Sequence, residues 1–252
     1  MPNHVTNILE FDCGPVEFRR LAESLRSSSL EPLGQVDFNR LIPMPASLDI
    51  EAGSRGETGY REYREFMEVS EGKTPDERKA LEQTYLDRFS EDPEIWELGK
   101  QYYENVEKYG CPNWYDWCVS NWNTKWNAYQ CVPVAASDRR LEFLTAWSCV
   151  PAIVKAISEK APQIRIGYAW ADENIGYNVG KIVVMDGKLL EENIPEGGSK
   201  EAYEMAAEIL SEDLSDLGFR LTEDGSTYEY AEEEPCLQPP PSSSRGKGGD
   251  AR

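Results

Sequence analysis

The chain has 252 residues, 26 of them basic and 46 acidic, and a formal net charge of −20. This length suits one large domain, or one domain with an elaboration, and it allows a core without disulfide staples. A field of negative sign repels nucleic acids and anionic membranes and favours basic partners. A general role in binding duplex DNA would therefore require a strong local patch of positive charge.

No stretch approaches roughly 18 consecutive apolar residues, so no membrane-spanning helix is expected. The first residues lack the basic and then apolar pattern of a secretory signal. We therefore expect the protein to stay in the cytosol. The six cysteines include no Cys-x-x-Cys pair, and we expect them to be reduced and mostly buried.

The first predicted elements are a strand, a helix and a second strand. Residues 5–11 are rich in β-formers and predict the first strand, and Pro15 is placed at the start of the following helix. Residues 35–41 are a candidate second strand. It must end before Pro43 and Pro45, because proline cannot join a central strand.

A charged helical segment is predicted at residues 46–110. It opens with a loop rich in Gly, Ser and Glu, and apolar residues then recur at helical spacing in three stripes. We predict two or three helices here, inserted between elements of the sheet.

The second half of the sheet is predicted from alternating apolar residues. Residues 125–132 and 140–147 have the pattern of a hairpin, and a helix begins near Pro151. Further strands are predicted at 164–170 and 177–185 because apolar and polar residues alternate there.

A short edge strand near Lys188 and a last helix from Ser199 to Leu217 complete the pattern. Strand, helix, strand, followed by hairpin strand, helix, strand, is the split βαβ order of a ferredoxin-like fold, so we predict an α+β protein with an antiparallel sheet core. The predicted parts are 1–45 and 111–187 for the two halves of the core, 46–110 for the helical insertion, 188–234 for the acidic helix and edge element, and 235–252 for a disordered tail.

Three segments resemble a known family. They are Met1-Pro2-Asn3-His4-Val5-Thr6-Asn7, Asn121-Trp122-x-Thr124-Lys125-Trp126-Asn127-Ala128, and Phe143-x-Thr145-Ala146-Trp147-Ser148 followed by Pro151. Together they are similar to the YubB-type ferredoxin-like domain proteins, which bacteriophages, conjugative plasmids and integrated elements encode. The likeness covers residues 1–45 and 111–185, and it departs at Asn123, where glycine is expected, and at the Trp170-Ala171-Asp172 turn. It implies a fold and a mobile-element origin in a bacterial host, but no catalytic residue and no cofactor.

Metal and nucleophile chemistry find little support, because His4 is the only histidine. A zinc site needs four Cys or His ligands at tight spacing, and Cys111 and Cys118 have no matching second pair. Catalysis by a Ser-His or Cys-His pair would have to use His4 as its base, and nothing pairs it with a nucleophile. We therefore predict no metal, no cofactor and no enzymatic activity; a small-molecule site between insertion and sheet has the least support.

Six of the seven tryptophans lie between residues 114 and 170. Aromatic side chains exposed on a ferredoxin-like sheet can stack bases, as in RNA-recognition modules. The candidate residues for such a stacking surface are Trp114, Trp117, Trp122, Lys125 and Trp126. Alternatively, the tryptophans join the insertion to the sheet, and Asn121, Asn123 and Asn127 accept hydrogen bonds from their indole N–H groups. The net charge favours this structural interpretation.

The region from 186 to 235 holds 16 acidic and 3 basic residues. Along the last helix glutamates recur at i+3 and i+4, which places carboxylates about 5–6 Å apart, comparable to successive phosphates of a nucleic acid. The candidate partner-binding residues of this acidic face are Glu201, Glu204, Glu208, Glu212 and Asp213. A solvated helix face is the simpler interpretation, because charge runs usually have that role.

Our leading hypothesis is a mobile-element accessory protein that binds a basic host protein, with the acidic face imitating nucleic acid to inhibit a nuclease or defence complex. It depends on the resemblance, on the local charge and on the lack of a convincing catalytic set. The alternative is a module that binds single-stranded nucleic acid through the tryptophan segment. The sequence leaves open the identity of the partner, the oligomeric state and the role of the tail.

Overall fold

The fold is built on a five-stranded antiparallel sheet in the order β2-β1-β3-β4-β5. The computed structural model describes residues 3–231. The strands of the sheet are β1 (His4–Asp12), β2 (Arg140–Ala146), β3 (Arg165–Asp172), β4 (Val179–Met185) and β5 (Lys188–Asn193). Four of the six main strands predicted from the sequence, and the edge strand near Lys188, are therefore confirmed.

Seven helices are described between and after these strands. They are α1 (Pro15–Leu25), α2 (Ser54–Val69), α3 (Pro75–Arg88), α4 (Glu94–Tyr109), α5 (Trp114–Trp122), α6 (Pro151–Lys160) and α7 (Lys200–Leu210). A short hairpin, β6 (Phe219–Leu221) and β7 (Tyr228–Tyr230), follows α7. Helix α6 connects β2 to β3, and β1 lies between these two strands, which makes a split βαβ unit. The α+β class predicted from the sequence is confirmed.

The main core lies between the inner face of the sheet and helices α1, α5 and α6. Side chains on a strand alternate between faces, so Val5, Leu9 and Phe11 of β1 all turn inward and are at most 4% exposed. Phe18 of α1 and Ile153 of α6 pack on this face and are wholly buried. Each such side chain contributes about 1.5–3 kcal/mol by its burial.

Helix α7 covers part of the outer face of the sheet. Its buried stripe, Ala202, Tyr203 and Ala206, packs against Ile8 of β1 and Ala171 of β3. Helix α7 crosses β3 and β4, and Ile8 of β1 joins the same outer-face core. The helix that carries the predicted acidic face is thus anchored to the sheet by its apolar side.

Helices α2, α3 and α4 form an insertion with a small aromatic core of its own. Its buried members are Tyr63, Phe66, Tyr85 and Trp96, and the closest pair of rings, Tyr63 and Trp96, has centroids 5.0 Å apart. Helices α2 and α4 cross at Gly59 and Gly99, where a Cβ on either residue would overlap the backbone of the other helix. The two helices therefore pack more closely than larger side chains would allow.

The candidate strand at 35–41 is wrong. This segment contains a 3-10 helix, Phe38–Arg40, and the carboxylate of Asp37 caps it by accepting a backbone amide at 3.0 Å. The amide of Phe38, whose ring is wholly buried, donates to Oδ1 of Asn127 at 2.8 Å. The helix cap at Asp37 and the burial of Phe38 favour the 3-10 helix more than the weak apolar pattern of this segment favours a strand.

The candidate strand at 125–132 is also wrong, because a single bridge between Tyr129 and Leu144 replaces it. The backbone of Gln130 has a φ of 48°, which breaks the extended conformation that a ladder requires. Tyr129 and Leu144 still exchange backbone hydrogen bonds of 3.1 and 2.8 Å. The segment therefore lies along the outer edge of β2 without continuing as a strand.

The last helix is shorter than predicted. It ends at Leu210, because Ser211 adopts a left-handed conformation with a φ of 57°. Leu214 and Leu217 still pack against the outer-face core, from turns and not from a helix. The predicted disordered tail, 235–252, lies outside the described residues.

Candidate binding surfaces

Three separate parts of the chain meet at one end of the sheet. Antiparallel pairing places His4, at the start of β1, opposite Ala146, at the end of β2, and Val5 opposite Asp172, at the end of β3. The β2–α6 loop and the β3–β4 turn therefore leave the sheet side by side. The loop after α5 joins them, because the hydroxyl of Thr124 donates to the carbonyl of Ala146 at 2.8 Å.

These loops assemble a row of aromatic rings around one cation. The ammonium of Lys125 lies 3.9 Å from the ring centroid of Trp126 and 4.0 Å from that of Trp147. Tyr115 meets Trp147 edge-on at 6.4 Å, and Tyr129 meets Trp126 edge-on at 6.3 Å. His4 extends the row, with its Nδ1 2.6 Å from the hydroxyl of Tyr129. We name these six residues the aromatic row: Tyr115, Trp147, Lys125, Trp126, Tyr129 and His4.

Three members of the aromatic row are large apolar side chains on the surface. Tyr115 is 37% exposed, Trp126 42% and Trp147 43%. Cation–π pairs at exposed sites contribute about 0.5–1 kcal/mol each, so Lys125 helps to hold both indoles in place. Tryptophan and tyrosine in such positions are the residues that most often dominate binding energies at protein interfaces.

The backbone beneath Trp147 is strained. Trp147 has a φ of 70°, in the left-handed region that is costly for a bulky side chain, and Asn178, a residue type that tolerates this region, has a φ of 45°. The Nδ2 of Asn178 donates to the carbonyl of Trp147 at 3.1 Å and to buried Asp172 at 2.9 Å. Strain of this kind costs about 1–3 kcal/mol and clusters at functional sites.

A buried polar network supports the strained loop from inside the sheet. Asn7, wholly buried on β1, donates to Thr145 Oγ1 at 2.9 Å and accepts from the hydroxyl of Tyr168 at 2.7 Å. Thr145 in turn donates to the carbonyl of Ser148, and the amide of Val150 donates to Tyr168. Burial raises the pKa of Tyr168 well above its ordinary value, so its hydroxyl stays protonated and available as a donor.

The structure separates the tryptophans that were predicted as a stacking surface. Trp117 and Trp122 are 7% and 3% exposed and pack edge-on within the main core, so the prediction is wrong for these two. Trp114 is partly buried against the same core. Of the five predicted residues only Trp126 is exposed and Lys125 is half-buried beside it, because α5 buries one face and the loop after it turns outward.

The indole hydrogen bonding also differs from the prediction. The Nε1 of Trp122 donates to the carbonyl of Ile42 at 2.9 Å, and the three asparagines named with it bond elsewhere. Asn121 and Asn123 donate to the carbonyls of Trp117 and Cys149, both at 2.9 Å, and Asn127 donates to Asp37 at 2.7 Å. These amides shape the loop backbone.

Sequence reasoning missed Trp147 and Tyr115. The predicted strand 140–147 includes Trp147, whereas this residue follows the last residue of β2 and leaves the alternation. A bulky residue directly after the end of a strand, in a chain with clustered tryptophans, is the signal that could have identified it. Tyr115 lies in the first turn of α5, and only the tertiary fold brings it to the row.

The predicted acidic face is divided by the end of α7. Glu201, Glu204 and Glu208 lie exposed on the helix, whereas Glu212 and Asp213 follow it in irregular chain, so the row of carboxylates is not one helical line. Glu208 pairs with Lys181 at 2.6 Å, and Glu204 lies 3.9 Å from Lys200. Two of the five predicted acids are therefore already matched by a basic side chain of the same molecule.

A wider acidic surface surrounds this face on β5, α7 and the chain that follows. All thirteen acids between 186 and 229 are exposed, and the three bases of that stretch are each paired with a local acid. Arg165 and Lys181 pair with Glu191 and Glu208 from neighbouring strands. The acids without a salt bridge to a described residue are Glu192, Glu196, Glu201, Glu212, Asp213, Asp216, Glu223 and Asp224.

Among residues 3–231 no group of three or more His, Cys, Asp or Glu side chains is arranged to hold a metal ion. Within the same range no helix is long and apolar enough to cross a membrane.

Burial suppresses the reactivity of two thiols. It raises the pKa of Cys118 and of Cys149 to about 11. At pH 8 only about one thousandth of each would be thiolate, so we expect both to react far more slowly with a disulfide reagent than in the unfolded chain.

The same two thiols make the free energy of unfolding depend on pH. Because burial raises their pKa values on folding, their contribution to that free energy is complete below about pH 9 and is lost as pH rises towards about 11. Mass spectrometry of labelled cysteines and urea unfolding at pH 8, 10 and 11 would check this, and rapid native labelling of Cys149 would contradict it.

The comparisons with known proteins bear on the fold. Residues 121–213 match the family model described as the ferredoxin-like domain in Api92-like protein. This segment is a ferredoxin-like domain. It contains β2 to β5, α6 and α7, and the predicted fold is thereby confirmed. The YubB-type assignment stays a prediction.

Two further comparisons add little. No curated protein matches the chain. The solved structure of protein api92 from Yersinia pseudotuberculosis is similar at 11% identity with a TM-score of 0.36, over 79% of this chain and 99% of that chain. A likeness as distant as this carries no argument about function.

Proposed function

We propose that this protein acts by binding a basic partner protein through the acidic surface formed by β5, α7 and the chain that follows. The observation that carries the proposal is the local charge balance. Every base of that stretch is engaged by a neighbouring acid, and eight exposed acids have no salt bridge to a described residue. Such a surface attracts positive charge and accelerates encounter with a basic protein.

The proposal extends to the biological setting that the family resemblance implies. In it, the protein is an accessory factor of a phage or plasmid, works in the cytoplasm of the bacterial host, and occupies the nucleic-acid channel of a host nuclease or defence complex. Carboxylates without an internal partner are the ones that can replace phosphates there. The paired Glu204 and Glu208 are therefore secondary to Glu201 and Glu212.

This proposal predicts that binding depends on which acids are neutralised. The double variant Glu201→Gln/Glu212→Gln should weaken binding to the captured host partner about tenfold at low salt and flatten its salt dependence, because two uncompensated charges are lost. Partners would be captured from host lysate and their affinities measured at several salt concentrations.

The matched control is Glu71→Gln/Glu107→Gln, which removes two exposed acids from the helical insertion. It should leave affinity nearly unchanged, since those carboxylates lie outside the acidic surface. Equal losses in both double variants would show that only total charge matters. An affinity insensitive to salt and to both variants would reject the proposal.

A second function, binding of single-stranded nucleic acid, is supported by the aromatic row. Exposed indoles beside a cation are the combination that such proteins use to stack bases and contact phosphate. The net charge near the aromatic row also opposes nucleic acid less than the net charge of the whole chain does, because residues 111–185 hold seven basic and six acidic residues.

Oligothymidine titration followed by tryptophan fluorescence would test this second function. We expect quenching that Trp147→Ala and Lys125→Met each reduce several-fold, with a salt slope near −0.7 for one phosphate contact. Tyr230→Ala, which removes an aromatic ring that is 67% exposed outside the row, should have no effect. Unchanged fluorescence at micromolar oligonucleotide would argue against it.

A further inference from the structure

The two outer edges of the sheet differ in how their backbones are covered. Along β2, Tyr129 and Val132 provide hydrogen bonds of 2.8–3.1 Å to Leu144 and Glu142. Along β5, no described residue outside β4 forms a backbone hydrogen bond with residues 188–193. The donors and acceptors on the far side of β5 therefore face solvent, which is the condition under which a sheet can accept another strand.

The side chains of β5 and the residue that follows it are unusual for a free edge. All six residues of β5 are exposed, and Leu189 and Leu190 are 54% and 51% exposed. Ile194, directly after the strand, is 52% exposed. Three large aliphatic side chains are thus exposed within six residues, and we name the adjacent pair Leu189 and Leu190 the apolar strip. Proteins that leave an edge open normally protect it with charge, a bulge or proline.

Features that discourage strand pairing are present only in the first part of β5. Lys188 begins the strand, and Leu190 is an extra residue opposite the Val183–Val184 step of β4, which makes a bulge. Beyond the bulge, residues 191–193 pair regularly with β4 and leave a regular outer edge. Glu191 on that part pairs with Arg165, so the carboxylates without a salt bridge to a described residue are Glu192 and, just after the strand, Glu196.

This charge pattern decides which occupant the edge can take. A second copy of the chain would bring glutamates against glutamates and would add another net charge of −20. An extended segment with alternating basic and aliphatic residues would instead meet the carboxylates with its cations and the apolar strip with its aliphatic side chains. Opposite charges directly across strands add to the stability that the backbone hydrogen bonds provide.

We propose that β5 accepts an extended, basic segment of the partner protein as a sixth strand of the sheet. The inference rests on the proposed function, because it names the element of the acidic surface that makes the contact. It goes beyond that function in requiring backbone pairing. Charge attraction alone places no demand on the amides of the ligand, whereas strand addition needs its N–H groups.

The probe is a capped ten-residue peptide of alternating lysine and valine, tested with the full-length chain. We expect binding that slows hydrogen exchange of the amides of residues 188–193. The same peptide N-methylated at every residue keeps its charge and loses the N–H donors of both edges, so its affinity should fall at least tenfold. Equal affinity of the two peptides, or no binding of the first at low salt, would overturn strand addition.

Substitutions in the protein separate this inference from the proposed function. Leu189→Lys/Leu190→Lys should reduce peptide affinity about tenfold, since it removes the apolar strip and adds repulsion, and circular dichroism should show an intact fold because both side chains are exposed. Leu30→Lys, at a leucine that is 94% exposed elsewhere, is the control. If the leucine variant leaves peptide binding unchanged while Glu201→Gln/Glu212→Gln weakens capture of the host partner, strand addition is wrong and the proposed function stands. If the glutamate variant has no effect on capture while N-methylation abolishes peptide binding, strand addition at β5 stands and the acidic surface around Glu201 and Glu212 is not the contact.

Discussion

Gly59→Ala is expected to lower the free energy of unfolding by about 3 kcal/mol or more, the upper end of the range for overpacking. A Cβ at Gly59 would overlap the carbonyl oxygen of Ile95 and lie 2.9 Å from the Cα of Gly99. Both contacts are with backbone, so no change of rotamer can relieve them. Helices α2 and α4 would have to separate, and the aromatic core that includes Trp96 would loosen with them.

The measurement is urea unfolding followed by tryptophan fluorescence and circular dichroism. Gly167→Ala on β3 is the control, because a Cβ there meets only the Cβ of Glu10, at 4.0 Å. It should change stability by less than about 1 kcal/mol. If Gly59→Ala proved as mild as the control, the close crossing of α2 and α4 would be wrong.

Asn7→Leu is expected to cost about 2–4 kcal/mol although it keeps the volume of the side chain. It removes the acceptor of the Tyr168 hydroxyl and the donor to Thr145, and buried polar groups left without partners cost about 1–3 kcal/mol each. The β2–α6 loop that carries Trp147 should also loosen, because Thr145 holds that loop through the carbonyl of Ser148.

A double-mutant cycle with Tyr168→Phe would test the coupling. Tyr168→Phe alone leaves the amide of Val150 and the Oδ1 of Asn7 without their partner, and should cost about 2 kcal/mol. The double variant should cost less than the sum of the single ones by about 1 kcal/mol, as residues of one network do. Strict additivity of the two free energies would show that the network is not the source of the cost.

Part of the candidate site could be predicted from the sequence. The clustering of aromatic and basic residues pointed to half-buried Lys125 and exposed Trp126, and the spacing of glutamates pointed to the acids on α7. The burial of Trp117 and Trp122 could not be read from the same cluster. Composition reports which residues are available, whereas burial depends on which face of α5 the sheet covers.

The ion pairs of the acidic residues could not be predicted from the sequence either. Glu208 and Lys181 are far apart in the chain, and only the crossing of α7 over β4 brings them to 2.6 Å. The left-handed conformations of Ser211 and Trp147 were also unpredictable, since neither residue type favours a positive φ. Such conformations persist where surrounding contacts over-determine them.

The sequence by itself determined the α+β class and the sites of charge, because alternation, β-propensity and helical spacing are local properties of the chain. The same local rules predicted all five strands of the sheet, but also strands at 35–41 and 125–132 that do not form. Only the tertiary structure decided which tryptophans are core and which form the aromatic row, which acids are neutralised, and which sheet edge is open. These features depend on contacts between residues that are distant in sequence, and no local pattern records them. The shortened α7 and the 3-10 helix at Phe38–Arg40 show the same rule, because both depend on where the surrounding elements pack.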